Sequence, residues 1–401
     1  MSEMREAVIV SAVRMAVGRV GGALKSYRPE KLGGMIVREA INRVEAQGVT
    51  DFDHMVDEVI FCDCDNEDLK IAGRVVLLES GLPYTIPGYQ IQRGCASSLT
   101  AVWDATMMVK CGFADTIICG GCESTTMAPY LMNKPTRAYS QMPMPWAEPV
   151  FSNKEMYGNL ANGPTAEEIA RRFGITRQDC DEFAVDSHRK GSIAYQNEYF
   201  KSQILPVEVK QKDGSVKIFD RDEPLRDDCT LESLSKLRPS FAKDGVCTAG
   251  NSSPLVDGAS CVIVMERKKA EELGLEIMAV IEDFADAGCE PMIMGEGPVH
   301  ACRKLFAKTG LTWDNIDLIE LNEAFAAQSI RCIREGQMPY EKVNVNGGAI
   351  ALGHPFAATG TILTTKMVYE MKRRQAERGV ITFCVGDGLG AALLLKAPDL
   401  K

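Results

Sequence analysis

A cysteine at the predicted start of a helix is the first candidate for chemistry in this chain. Cys95 follows Gly94 in QRGCASSL (residues 92–99), and the apolar spacing over Ser97–Lys110 predicts a buried helix. Unpaired N–H groups and the positive dipole end at a helix start favour a thiolate. Cys95 is therefore a candidate nucleophile, although an inert buried thiol is the default for any one of the 14 cysteines.

Two further candidates lie in glycine-rich segments. His354 lies in NVNGGAIALGHPFAATG (residues 344–360), where the glycines indicate tight turns and close approach of the backbone. Cys384 precedes Gly386 in TFCVGDGLG (residues 382–390). The glycine spacing does not indicate a dinucleotide loop, because too few residues follow it for a βαβ unit. A turn of this kind after a strand is suited to aiming N–H groups at a developing oxyanion.

Polar residues near these segments have simpler interpretations. Asn322 and Glu323 in ELNEAFAAQ stand between a predicted strand and a helix, so local physics predicts an N-cap and a first-turn carboxylate. The loop TAGNSSPLVDGAS (residues 248–260) either lies against an extended ligand or only forms turns. Lys236 and Arg238 are expected to be solvated.

Composition narrows the class of protein. A chain of 401 residues predicts two or three domains, and a net charge of −10 argues against nucleic acid or an anionic membrane as partner. No apolar run has transmembrane length, and no signal peptide is evident. Abundant cysteine without a secretion signal indicates a reducing, cytoplasmic location. We expect no metal, because four converging ligands are not indicated.

Strand and helix patterns alternate along the chain, which predicts an α/β fold. The order strand–helix–strand around Cys95 recurs around His354, and Gly94-Cys95 and Gly353-His354 are each predicted to open a helix. A duplication of this kind would bring the two helix starts face to face. The predicted strands are 7–13, 56–62, 114–121, 260–266, 277–284, 316–322, 342–348 and 379–385.

The predicted domain organisation places an insertion between the two halves. Residues 1–124 and 256–275 form the first half, and residues 276–401 form the second. Residues 125–255 form an inserted loop domain, polar at first and then helical. Insertions of this size usually determine specificity.

Several blocks taken together resemble one family. QRGCASSL, TAGNSS, NEAFAAQ, NGGAIALGHPFAATG and the C-terminal Cys-x-Gly-x-Gly are similar, in order and over essentially the whole chain, to the signature blocks of the thiolases. These are acyl-CoA acyltransferases that make or cleave 3-ketoacyl-CoA. The resemblance implies a duplicated, layered αβαβα core with an inserted loop domain. It also implies a ping-pong reaction through a cysteine acyl-enzyme, coenzyme A and acyl-CoA as substrates without a prosthetic group, and a homodimer or homotetramer.

The resemblance also assigns roles to residues. It implies that Cys95 accepts the acyl group, His354 activates Cys95, and Cys384 moves the α-proton. Asn322 would bind the water of one oxyanion site, in place of its cap role, and Gly386 with the Cys95 amide would form the second oxyanion hole. The residues implied near coenzyme A are Arg226, Ser233, Leu237, Phe241, Ala249, Ser253, Met294 and Phe325.

The chain departs from the family pattern at three places. Arg14-Met15-Ala16 stands where Arg-Thr-Pro is usual, Asn162-Gly163 stands where Met-Gly is usual, and Asp387 replaces a glycine. The second departure lies where the acyl chain or the pantetheine is expected to pass, so the family pattern does not determine the length of the acyl chain. We expect thiolysis of short- to medium-chain 3-ketoacyl-CoA.

Three alternatives differ in chemistry. A ketoacyl-synthase-type condensing enzyme would use two histidines with the cysteine, whereas this chain has NEAF and a second cysteine. A non-catalytic acyl-CoA- or lipid-binding relative would be expected to lose Cys95, His354 or Cys384. A thiol-redox protein would use Cys119-x-x-Cys122, but no helix is predicted directly after that pair.

Overall fold

The computed structural model describes residues 5–135, 154–211 and 213–398. Within these ranges, 13 strands and 12 helices alternate along the chain. The strands are β1 Ala7–Met15, β2 Gly18–Arg19, β3 Glu58–Cys62, β4 Gly88–Tyr89, β5 Thr116–Ser124, β6 Ile204–Leu205, β7 Val207–Lys210, β8 Val216–Phe219, β9 Val256–Glu266, β10 Ala279–Gly288, β11 Leu318–Leu321, β12 Arg378–Val385 and β13 Leu389–Lys396. The helices are α1 Pro29–Glu45, α2 Ala72–Glu79, α3 Ser97–Lys110, α4 Lys154–Tyr157, α5 Asn162–Phe173, α6 Arg177–Gln196, α7 Leu231–Ser235, α8 Arg267–Glu272, α9 Gly297–Thr309, α10 Ala326–Gly336, α11 Ala349–Leu352 and α12 Thr359–Arg374.

One large sheet joins the two halves of the chain. Its strand order is β11-β12-β13-β10-β1-β9-β5-β3-β4, with β10 and β1 pairing antiparallel where the halves meet. The parallel pair β3–β5 in the first half corresponds to the parallel pair β11–β12 in the second. The α/β prediction is confirmed, and the repeated order of elements follows the predicted duplication.

The central strands of the large sheet are buried on both faces, which explains their continuous apolar runs. Every residue of β5 and β9 is buried. Helix α1 covers one face of the sheet, while α3 and α12 pack together on the other face in a separate apolar cluster. The layers of the implied fold are present, and none of the helices in the described ranges is long and apolar enough to cross a membrane.

The starts of α3 and α12 are in contact, as the duplication predicts. The Thr361 N–H donates to Ser98 Oγ at 3.1 Å, and a Cβ on Gly360 would overlap the backbone nitrogen of Leu99. The two helix starts are not equivalent, however. Cys95 stands two residues before α3, whereas His354 lies five residues before α12, in the loop that follows α11. The prediction that His354 opens the helix is wrong.

The predicted strand at 342–348 is reduced to a single parallel bridge between Val343 and Ile319 of β11. A single 3-10 turn covers Tyr340–Lys342, and the backbone then turns through left-handed residues at Asn344 (φ 45°) and Gly347 (φ 81°). The Asn344 amide accepts from Leu321 N at 2.9 Å and donates to Leu321 O at 2.8 Å. One side chain thus bonds the edge of β11 where a further strand was expected, and the apolar alternation of Val343 and Val345 imitates a strand pattern.

The insert contains more strand structure than the sequence indicates. Besides α5 and α6, it holds the hairpin β7–β8 and the short strand β6, which pairs with the end of β1. Strand β9 begins at Val256, before the predicted residue 260. Residues 136–153 and 212 of the predicted insert lie outside the described residues.

Candidate active site

Cys95 stands in a tight turn that leads into α3. Gly94 has a φ of 50°, a left-handed conformation that favours glycine, and Ala96 is the N-cap of the helix. Ser97 Oγ accepts from Arg93 N at 2.8 Å and donates to Gly94 O at 2.7 Å, which holds the turn closed. Cys95 is half-buried and lines a cavity of about 570 Å³ together with Gly386.

His354 is buried, and its hydrogen bonds indicate one tautomer. Thr359 Oγ1 lies 2.6 Å from His354 Nδ1 and donates to Pro355 O at 2.7 Å. Because the hydroxyl has only one proton, Nδ1 must donate to it, which leaves Nε2 as an acceptor. Asn322 Nδ2 lies 3.2 Å from that Nε2. Burial lowers the pKa of His354 from 6.5 to about 3, so the imidazole is neutral at neutral pH.

Asn322 is not a helix cap. It follows β11 and donates its N–H to Thr382 O at 3.0 Å, while α10 begins at Ala326 with Phe325 as its N-cap. The local prediction for Asn322 is therefore wrong. Its Oδ1 is buried and has no hydrogen-bond partner among the described residues, and buried polar atoms are normally satisfied. The position that bonds His354 thus has an open acceptor, as the water-binding role implied by the resemblance requires.

Cys384 lies near the end of β12, opposite Gly390 of β13, and is buried. Burial raises the pKa of its thiol well above the usual value, and the nearby Cys95 raises that pKa further. Two residues later, Gly386 lines the cavity of Cys95. Asp387, at the departure from the family pattern, has a φ of 64°, which explains why glycine is usual there.

Burial outweighs the helix start in the electrostatics of Cys95. Burial raises the pKa of its thiol from 9.0 to about 12, although its own backbone N–H lowers it. The sequence predicted that the helix start favours a thiolate, and the balance in the folded chain is the opposite. At neutral pH, Cys95 and Cys384 are thiols and His354 is a neutral acceptor. Attack by Cys95 then requires that its proton move to a base.

Two buried glutamates, Glu323 and Glu123, hold the loops of the site. Neither was predicted from the sequence as a site residue. Glu323 accepts from Ser187 Oγ at 2.7 Å, Asn344 Nδ2 at 2.7 Å and Ile350 N at 3.2 Å, which positions the segment before His354. Glu123 accepts from Asp65 N at 2.9 Å and Ala357 N at 3.0 Å, which joins the loop after β3 to the loop after His354. The signal in the sequence that could have identified them is a glutamate placed at the end of a predicted strand.

The residues implied near coenzyme A fall into two groups. Five converge beside Cys384: three share its apolar cluster, the Phe241 ring packs edge-on against Phe325 at 5.8 Å, and the Ser253 N–H donates to Ala324 O at 3.0 Å. These five are Leu237, Phe241, Ser253, Met294 and Phe325.

The other three residues of that set lie elsewhere on the insert. Arg226 and Ala249 line a separate small cleft beside His188. Ser233 is exposed in the first turn of α7, where its hydroxyl donates to Thr230 O at 2.8 Å. Lys236 is exposed and pairs with Glu232, as expected of a solvated face.

Other cysteine chemistry finds no support in the geometry. All 14 cysteines are free. Cys119 and Cys122 both lie within β5, and residues three apart on a strand face opposite sides, so the two thiols cannot join. In the part of the chain that the structure describes, no group of His, Cys, Asp and Glu could hold a metal ion.

Comparison with known proteins identifies the family. The model of the thiolase N-terminal domain matches residues 7–268, and that of the thiolase C-terminal domain matches residues 275–397. The chain belongs to the thiolase family. This thiolase is 40% identical to an acetyl-CoA acetyltransferase of Syntrophomonas wolfei, over 98% of the chain and 99% of the relative. It is also 40% identical to a 3-ketoacyl-CoA thiolase of Bacillus subtilis, over 97% of the chain and 98% of the relative.

A solved structure shares the fold of this thiolase. The Bacillus anthracis acetyl-CoA acetyltransferase superimposes with a TM-score of 0.90 at 36% identity, covering 99% of this chain and 100% of that chain. The names of these relatives denote enzymes that transfer acyl groups. This member of the family is accordingly an acyltransferase.

Proposed function

We propose that the enzyme catalyses reversible thiolysis of 3-ketoacyl-CoA and the reverse Claisen condensation, in a ping-pong reaction with an acyl-enzyme at Cys95. The observation that carries this proposal is one cavity lined by Cys95, at the start of α3, and by the backbone of Gly386. Sequence similarity to acyl-CoA enzymes over nearly the whole chain supports the substrate class.

In the first half-reaction, the sulfur of Cys95 attacks the thioester carbon of an acyl-CoA. The Cys95 proton moves to His354 Nε2, the unprotonated nitrogen of the assigned tautomer, and replaces the hydrogen bond that Nε2 accepts from Asn322 Nδ2. The bond to the coenzyme A sulfur then breaks, and that sulfur leaves with the proton of Cys384, which becomes a thiolate. Backbone N–H groups of Cys95 and Gly386 are the donors that we assign to the oxyanion, and one such donor contributes about 3–4 kcal/mol.

In the second half-reaction, the Cys384 thiolate formed in the first half-reaction removes the α-proton of acetyl-CoA. The resulting carbanion attacks the acyl carbon on Cys95, a carbon–carbon bond forms, and the Cys95 sulfur leaves with the proton that His354 holds. His354 and a water held by Asn322 stabilise the enolate oxygen; the open acceptor of Asn322 supports this assignment. Thiolysis is the same sequence in reverse.

The coenzyme A site, the domain organisation and the cellular setting complete the proposal. We assign the coenzyme A contacts to the implied residues of the insert and to Met294 and Phe325, which share the apolar cluster of Cys384. We retain the predicted halves, 1–124 with 256–275 and 276–401, around the insert at 125–255.

A homodimer or homotetramer in the cytoplasm is proposed, and the 14 free cysteines support a reducing compartment. Light scattering at micromolar concentration tests the assembly, and a monomer would contradict it.

Intact-mass analysis tests the acyl-enzyme. We expect one acyl adduct after the protein is mixed with acetyl-CoA, and none on a Cys95→Ala variant. A Cys111→Ala variant is the matched control, because Cys111 is exposed at the far end of α3. Equal adducts on the Cys95→Ala variant would overturn the assignment.

A release assay tests the substrate range. Free coenzyme A and 3-ketoacyl-CoA of several chain lengths are the reactants, and we expect turnover of short- to medium-chain substrates. Activity confined to acetoacetyl-CoA would correct the expected length and leave the reaction class intact.

A further inference from the structure

Asn162 presents an unsatisfied amide oxygen at the cavity of Cys95. It is the first residue of α5 and lines the same cavity of about 570 Å³ as Cys95 and Gly386. Its Oδ1 is buried and has no hydrogen-bond partner among the described residues. That oxygen lies 3.4 Å from the position that a Cβ on Gly386 would occupy. A buried carbonyl oxygen without a partner is rare in folded proteins, and a bound ligand is one group that can satisfy it.

The charges around this cavity limit what such a ligand can be. Asp65 and Asp387 line the cavity, and the single cationic side chain among its described lining residues, Arg93, is paired with Asp286 at 3.1 Å. An acyl group with a carboxylate would meet two like charges and no unpaired cation. A neutral group avoids that repulsion. A hydroxyl both donates and accepts, which matches the donor and acceptor of a carboxamide.

We propose that Asn162 is a specificity-determining residue that hydrogen-bonds a hydroxyl on the acyl group carried by Cys95. The preferred acyl-CoA would then have a neutral hydroxyl within a few bonds of the thioester, because Asn162 Oδ1 lies beside Gly386. This inference rests on the proposed acyl transfer to Cys95, and it adds the class of acyl group. A site built to bond a hydroxyl discriminates against the analogue that lacks it, since the amide then stays unpaired.

The test compares two acyl groups of nearly equal size. 3-Hydroxypropanoyl-CoA and butanoyl-CoA differ by a hydroxyl in place of a methyl, and single-turnover adduct formation at Cys95 is measured by intact mass for each. We expect the wild-type protein to react about five- to tenfold faster with the hydroxyl compound. Succinyl-CoA, which carries a carboxylate, should react more slowly than either compound.

Variants separate Asn162 from its surroundings. Asn162→Leu has nearly the same shape without polar atoms, and it should reduce the hydroxyl-to-methyl rate ratio to about one or below. Asn159→Leu is the matched control, because Asn159 is exposed three residues earlier and lies outside the cavity lining. That control should keep the wild-type ratio. The ratio is taken within one protein preparation, so a general loss of activity cancels.

Distinct results would overturn the two proposals. A wild-type ratio near or below one, faster reaction of succinyl-CoA, or an unchanged ratio in Asn162→Leu each contradicts the role of Asn162 while leaving the acyl-enzyme intact. If Asn162→Leu does not fold, the wild-type ratio still decides the preference. Absence of any Cys95 adduct with acetyl-CoA would instead overturn the proposed function.

Discussion

The reactive groups of this site are neutral at rest. Burial holds the Cys95 thiol and the His354 imidazole in their uncharged forms, with pKa values of about 12 and about 3. A neutral acceptor and a neutral thiol can exchange a proton only as the attack on the thioester proceeds. Acylation therefore needs general acid–base catalysis, since Cys95 is not a thiolate at rest.

The rate of acylation should be flat with pH over the physiological range. Burial disfavours the protonated imidazole, so His354 stays an acceptor as the pH falls, until it approaches the lowered pKa of about 3. The thiol likewise stays protonated until the pH approaches about 12. We expect adduct formation at Cys95 to vary little between about pH 5 and pH 8. Stopped-flow acylation measures this, and an inflection near pH 6.5 would contradict it.

The two cysteines should fail in different half-reactions. Acyl transfer to Cys95 needs no carbanion, so a Cys384→Ala variant should still form the adduct, although more slowly, because Cys384 also protonates the leaving coenzyme A sulfur. It should lose exchange of solvent deuterium into the α-carbon of acetyl-CoA by on the order of 10²–10⁴-fold, because the positioned base is gone. Mass spectrometry of adduct and of acetyl-CoA measures both steps. Near-normal exchange in this variant would assign the base to another residue, with His354 the first candidate.

Among the secondary-structure elements, the crossing of α3 and α12 sets the site. The Cys95 turn and the His354 loop both precede these helices, and the helices approach so closely that Gly360 faces the backbone of Leu99. Glu123 connects the adjoining loops through Asp65 N and Ala357 N. The spacing of the reactive groups therefore depends on how closely the helices pack.

A methyl group at this crossing should separate the helices. Gly360→Ala would place Cβ against backbone that cannot move away cheaply, so we expect a loss of about 3 kcal/mol in the free energy of unfolding. Urea denaturation measures it, together with the rate of Cys95 acylation, which should also fall. Gly288→Ala is the control, since the nearest atom to its Cβ would be Gly388 O at 3.9 Å. Equal stability of the two variants would contradict the importance of the crossing.

For the molecule as a whole, one buried ion pair joins the insert to the central sheet. Arg14 of β1 and Asp222 of the insert lie 2.9 Å apart, and both side chains are fully buried. Asp222 also accepts from Val17 N at 2.7 Å and from Tyr195 Oη at 2.8 Å. The insert is thus held by directional bonds as well as by apolar contact, at the position where the sequence departs from the usual Arg-Thr-Pro.

Breaking this pair should destabilise the whole chain. Asp222→Ala leaves the Arg14 guanidinium buried without its partner, and we expect a loss of about 3–5 kcal/mol in the free energy of unfolding. Lys201→Ala removes a member of an exposed pair with Glu198 and should change it by less than about 0.5 kcal/mol. Thermal and urea denaturation of both variants measure the difference. A small effect in Asp222→Ala would mean that the insert is held by other contacts.

Local patterns and signature blocks were sufficient to predict much of the secondary structure and the family. Apolar spacing predicted α3 with its observed bounds, Ser97–Lys110, and most strands of the sheet, because buried faces impose their period on the chain. The blocks around Cys95, His354 and Cys384 led to the family. Their roles remain predictions that the experiments above test.

Long-range contacts determined what local patterns misjudged. Asn322 has the local features of a helix cap but bonds His354, and residues 342–348 have strand alternation but turn, because the side chain of Asn344 bonds Leu321. The helix start that favours a Cys95 thiolate is outweighed by burial among distant residues. Desolvation and hydrogen-bond pairing depend on which segments meet in space, and neighbours in sequence do not contain that information.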